Sequence, residues 1–122
     1  MPTRKFFCPI NVTLSLINSK WKPFILFLLK GRARRFSELQ AALPNVSHKV
    51  LTQQLRALER DQLIERANDL QANIVAYRMT EFGKTLRPAL TALAAWGTKH
   101  HKAIGCDLIW PPDRPLSTTR SR

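Results

Sequence analysis

The chain has 122 residues, enough for one domain with a modest core, and its 44% hydrophobic content excludes an intrinsically disordered polymer. Against 20 Lys and Arg stand only 8 Asp and Glu, a net charge of +12. That excess points to a polyanionic partner, nucleic acid or an acidic membrane surface, and so few carboxylates leave no paired acids or triad for catalysis.

Residues 1–7 form a basic arm. From Pro9 to Ile17 two patterns compete. Ile10, Val12, Leu14 and Leu16 alternate with polar residues as in a strand, yet Ile10, Leu14 and Ile17 also share one helical face, and periodicity does not choose. Residues 21–30 predict a helix with Pro23 in its first turn and Gly31 as its C-cap. The nine apolar-rich residues 21–29 fall short of the roughly 20 needed to span a bilayer. With no signal-peptide pattern at the N-terminus, the expectation is a cytoplasmic protein that does not enter a membrane.

Residues 30–35, KGRARR, read as a compact positive loop. A short helix then carries Phe36, Leu39 and Leu43 and stops at Pro44. Ser47 is the better placed of two candidate N-caps for the next helix, the other being Asn45. In that helix Leu51, Leu55 and Leu58 line one face. At about 100° per residue, Lys49, Thr52, Gln53, Arg56 and Arg60 gather on the other. Cations interleaved with hydroxyl and amide groups suit contact with phosphates and base edges.

Two strand-like pieces, around Leu63-Ile64 and Ala76-Tyr77-Arg78-Met79, bracket a polar stretch and predict a hairpin. Thr80 then caps a long helix whose Phe82, Leu86, Leu90, Leu93 and Trp96 recur at helical spacing, with a kink or break expected at Pro88. Residues 105–122 form a Ser/Thr/Arg-rich tail expected to be mobile. The predicted fold class is mainly α with a small β-hairpin wing, a winged helix-turn-helix occupying residues 8–104.

Several strings resemble, in order and spacing, the HxlR-type winged-helix transcriptional regulators, relatives of the MarR group. They include Cys8-Pro9, Ser19-Lys20-Trp21, Arg35-Phe36-Ser37-Glu38-Leu39 and Leu43-Pro44-Asn45-Val46-Ser47. The run continues with Leu51-Thr52-Gln53-Gln54-Leu55-Arg56-Ala57-Leu58-Glu59, Leu63-Ile64-Glu65-Arg66, Tyr77-Arg78-Met79-Thr80-Glu81-Phe82-Gly83 and Trp96-Gly97, covering roughly residues 8–98. The resemblance implies that Pro9–Ile17 is helical. It also implies a homodimer held by the first and the C-terminal helices, with Phe82, Leu86, Leu90, Leu93 and Trp96 as candidates for the interface. Part of that stripe has to cover the protein's own core. The segment 67–73 departs from the family, whose wings usually carry basic residues near the tip.

The expected function is sequence-specific binding of double-stranded DNA by a homodimeric transcriptional regulator on a pseudo-palindromic operator. The competing reading is a nucleoid-type protein that binds nucleic acid by charge alone. Candidate DNA contacts are Ser47, His48, Lys49, Thr52, Gln53 and Arg56 on the helix. Arg34 and Arg35, with Lys30 and Arg32, are expected to clamp phosphates, and Arg66 and Asn73 are further candidates in the hairpin. The resemblance also implies that Cys8, at a Cys-Pro position where several family members carry a sensing cysteine, is a candidate sensor of oxidants or electrophiles. Arg4 and Lys5, close in sequence, would favour its thiolate; its alternative is a small buried apolar residue. His100, His101 and Cys106 lack metal-ligand spacing, so no metal or other cofactor is expected, and enzymatic activity is not.

Overall fold

Apolar residues at helical spacing dominate the chain, and the architecture follows from where they can be buried. A computed structural model describes residues 3–69 and 74–109. Helices α1 (Pro9–Ile17) and α2 (Lys22–Leu29) lead into a two-residue strand β1 (Arg34–Arg35), then α3 (Phe36–Ala42) and α4 (His48–Arg60). Strands β2 (Ile64–Asp69) and β3 (Ile74–Met79) form a hairpin, and α5 (Glu81–Lys84) and α6 (Arg87–His100) follow. The sheet is antiparallel with order β1-β3-β2; Arg34 pairs with Tyr77, and Ile64 with Met79.

The ambiguous segment Pro9–Ile17 is a helix with Pro9 in its first turn. Ile17 is buried, whereas Ile10, Val12 and Leu14 are exposed, so the apolar residues of α1 do not mark one inward face. Helix α2 supplies the centre of the core through Ile25, Leu26, Leu28 and Leu29. Its C-cap is Lys30, not Gly31, and Gly31 does not adopt the left-handed conformation of a glycine cap.

The predicted loop 30–35 is shorter than expected, because Arg34 and Arg35 join the sheet beside β3. A two-residue strand has no period to detect. The long helix expected after Thr80 is two helices. The Thr80 hydroxyl caps α5 by accepting the Gly83 N–H at 2.8 Å, and Pro88 lies in the first turn of α6, after the break instead of inside a kink. Among the described residues no single helix is long and apolar enough to cross a membrane; α1 and α2 meet at 86°.

Gly83 is required by a close approach. A Cβ there would fall on the Leu63 carbonyl oxygen and within 3.0 Å of its carbonyl carbon, both backbone atoms. Thr80 fixes the same junction, since its N–H donates to the Leu63 carbonyl at 3.1 Å and its hydroxyl to the Gln62 carbonyl at 2.7 Å. The wing base and α5 therefore close as one unit. Gly83→Ala is expected to destabilise the fold by about 2–3 kcal/mol, the upper part of the overpacking range. Urea unfolding measures this, and a loss below about 0.5 kcal/mol, the level of an ordinary surface change, would contradict it.

Candidate DNA-reading face

The α4 helix begins where Asn45, in the left-handed region at φ 60°, turns the chain out of α3. Asparagine tolerates that conformation better than most residues. Ser47 then caps the helix as expected, its hydroxyl accepting the Val50 N–H at 3.0 Å. At the other end Gln62 is left-handed at φ 63°, the Gln62 N–H bonds the Glu59 carbonyl, and the Leu63 N–H bonds the Leu58 carbonyl at 3.0 Å. Those two bonds form a Schellman closure, with a glutamine where glycine is usual.

Between these stops, Leu51, Leu55 and Leu58 are at most 1% exposed. Lys49, Gln53, Arg56 and Arg60 are exposed on the opposite side, at spacings of four, three and four. Among the described residues none of these three cations has an ion-pair partner. Thr52 is half-buried and lies 3.5 Å from His48 Nδ1, and the exposed His48 packs its ring on Phe36 at 4.6 Å between centroids. Six sequence candidates, Ser47, His48, Lys49, Thr52, Gln53 and Arg56, thus share one continuous surface along α4.

Arg34 does not join them. It is 6% exposed, and its Nε donates to the Leu28 carbonyl at 3.0 Å, satisfying a carbonyl left open at the end of α2. Burial, with Arg32 nearby, holds its pKa below the ordinary guanidinium value. The reading of Arg34 as a phosphate clamp is therefore replaced by a structural one: it anchors β1 to α2. Arg35 remains exposed, next to the Phe36 ring that abuts His48, while its N–H donates to Glu38 Oε1 at 2.8 Å and starts α3.

Arg66 is not free either; its Nε donates to Glu59 Oε2 at 3.1 Å. Asn73 and the wing tip, residues 70–73, lie outside the described residues, as does the expected tail from residue 110 onward. Within the proposed dimer stripe, Phe82, Leu93 and Trp96 are each more than half exposed, but Leu90 is buried and Leu86 packs on the core. Leu90 belongs to the protomer's interior because α6 lies against α2. Cys8 is a half-buried free thiol at the N-cap of α1, and Cys106 is exposed.

One link was not visible in the sequence. Ser19 Oγ accepts the Lys22 N–H at 3.0 Å and donates to Gln54 Oε1 at 2.8 Å, fastening the α1–α2 corner to α4. A bond across 35 positions between two common polar residues leaves no local signal.

The profile of the HxlR-like helix-turn-helix family matches residues 16–104, which include every element from α2 to α6. The chain belongs to that family. YdeP of Bacillus subtilis strain 168, an HTH-type transcriptional regulator, is 40% identical over 98 residues, covering 80% of this chain and 77% of YdeP. The crystal structure of YtcD, from the same organism, superposes with a TM-score of 0.70 at 40% identity, over 79% of this chain and 99% of that one. The redox regulator HypR in its reduced form gives a TM-score of 0.75 at 33% identity, over 80% and 97%. These relatives are regulators and not enzymes, and the HxlR-like chain is a DNA-binding transcriptional regulator rather than a charge-only nucleic-acid coat.

The two adjacent arginines separate by assay. Arg34→Met leaves the Leu28 carbonyl unpaired and is expected to cost about 1–3 kcal/mol of stability, with an unchanged salt dependence of DNA binding in the folded fraction. Arg35→Gln is expected to leave stability within about 0.5 kcal/mol and to reduce the slope of log Kobs against log salt by about 0.9. Urea titration and salt-series binding read both; the reverse pattern would refute the assignment.

Proposed function

We propose that the protein acts as a homodimer that inserts the outward face of α4 into successive major grooves of a pseudo-palindromic operator. The observation that carries this reading is the division of α4 itself. Three fully buried leucines anchor one side, and Lys49, Gln53 and Arg56 stand exposed on the other, unpaired by acids among the described residues.

Gln53 has the amide geometry to pair with an adenine edge, and Arg56 that to grip guanine or a phosphate. Ser47 presents backbone N–H groups and the positive end of α4 to a phosphate. His48, Lys49 and Thr52 contact bases or backbone alongside it, and Arg35 adds a phosphate contact from the flank. The exposed apolar residues Ile10, Val12 and Leu14 on α1, with Phe82 on α5 and Leu93 and Trp96 on α6, support pairing of two protomers through these helices.

Cys8 gives such a dimer an oxidant response. Its thiolate attacks a peroxide oxygen, the S–O bond forms as the O–O bond breaks, and the departing alkoxide or hydroxide takes a proton from solvent and leaves as alcohol or water, yielding a sulfenic acid. The change falls at the start of a helix assigned to the dimer contact, so it alters dimer geometry and lowers operator affinity. The similarity to HypR, a redox regulator, supports this part of the reading.

Footprinting on the DNA upstream of the protein's own gene tests the whole. Protection of an inverted repeat at moderate salt is expected, with Arg56→Ala weakening it by about 1–3 kcal/mol. Peroxide is expected to abolish protection in the wild type and to spare it in Cys8→Ser. Absence of any protected site would contradict the operator reading, and equal peroxide sensitivity in Cys8→Ser would contradict the sensor.

A further inference from the structure

All four glutamates of this acid-poor chain are engaged in ion pairs: Glu38 with Arg32, Glu59 with Arg66, Glu65 with Arg78, and Glu81 with Lys84. Three of them, Glu59, Glu65 and Glu81, line one cleft of about 900 Å³ between the end of α4, the hairpin and α5. The hydrogen bond from Lys84 and its charge also hold the Glu81 carboxyl below the usual carboxylate range. The outward cations of α4 have no such partners among the described residues. Acids therefore neutralise the flanks and leave the reading face charged.

The hairpin shows this most clearly. Its two strands carry only two cations, Arg66 and Arg78, and both are paired. Glu65 and Arg78 are cross-strand register partners, 2.8 Å apart, and move together with the hairpin. Glu59 differs because it belongs to α4, whereas its partner Arg66 belongs to β2. The Arg66 side chain is 52% exposed, so the pair is screened by water and readily exchanged for another anion of like geometry, such as a phosphate.

Resting on the reading of α4 as the DNA-binding helix, we propose that Glu59 limits DNA affinity by withholding Arg66 from the DNA backbone. On random DNA the protein is held by the α4 face alone, and Arg66 stays with Glu59. On the operator, full seating of α4 presses the hairpin closer to the backbone, so that phosphate outcompetes the carboxylate and Arg66 transfers to it. The seated complex has to break the Glu59–Arg66 pair and a loose one does not, so the carboxylate lowers affinity for both duplexes and costs the seated complex the full strength of the pair.

The test is a fluorescence anisotropy titration of the full chain, at several salt concentrations, with the footprinted duplex and with a scrambled duplex of equal length. Glu59→Gln is expected to bind the scrambled duplex severalfold more tightly and to steepen its salt slope by about 0.9, the signature of one added phosphate contact. Affinity for the footprinted duplex rises at least as much, with its slope unchanged, because Arg66 already meets phosphate there and only the breaking of the pair is removed. Asp61→Asn removes an equal charge two residues away, from a side chain with no ion-pair partner among the described residues, and is expected to leave the slope unchanged. Adding Arg66→Ala to Glu59→Gln is expected to abolish the steepening.

Equal behaviour of Glu59→Gln and Asp61→Asn, or a slope that stays steep in the double variant, would overturn the proposal, because simple loss of repulsion would then explain the gain. A wild type unable to distinguish the two duplexes would overturn the regulator reading instead, and this inference with it.

Discussion

The burial of Leu51, Leu55 and Leu58 is the constraint on which the rest of the molecule depends. A helix has one azimuth at which three leucines at these spacings all leave water, and each buried side chain contributes on the order of 1.5–3 kcal/mol. Turning α4 by even one position would expose a leucine and bury a charge. The core therefore orients Lys49, Gln53 and Arg56 outward without any contact made by those residues themselves. Ser47 and the left-handed Gln62 set where the helix starts and stops, so its length and its angle are determined by different residues.

Charge is organised around the same helix. An excess of +12 spread evenly would favour any polyanion. In the folded chain the four glutamates are placed beside the loop before β1, the hairpin and α5, and the cations on the outward stripe of α4 have no ion-pair partner among the described residues. Arg34 marks the limit of reading charge from sequence, since one of three neighbouring arginines is turned inward to complete the hydrogen bonding of α2. Apolar exposure shows a complementary order: among the described residues it falls on the arm before α1, on α1, α5 and α6, on Val75 and on residues 104–109, and not on α4.

Much of this was legible in the chain. The α4 face, the Ser47 cap, the hairpin and the break near Pro88 all come from local rules, namely helical period, capping chemistry and proline geometry. Pro9 to Ile17 resists because its apolar residues do not share one inward face, so neither the helical nor the strand pattern is clean; the family resemblance implies the helix that the structure shows. Strand β1 was too short to carry a pattern. The inward turn of Arg34, the Ser19–Gln54 link and the Glu59–Arg66 pair depend on tertiary approach between elements, which no local spacing records. Leu90 shows the same limit, as one stripe on α6 serves the interior at one position and stays exposed at Leu93.

The central claim is that the outward face of α4 reads DNA sequence as part of a two-fold assembly. Binding-site selection from a pool of randomised duplexes, carried out with the wild type and with Gln53→Ala, tests it most directly. The account predicts enrichment of an inverted repeat whose half-site centres lie about 34–36 Å apart, one helical turn, with relaxed preference at matching positions of both half-sites in the variant. A pool that stays unenriched, or an identical selected sequence from both proteins, would contradict it.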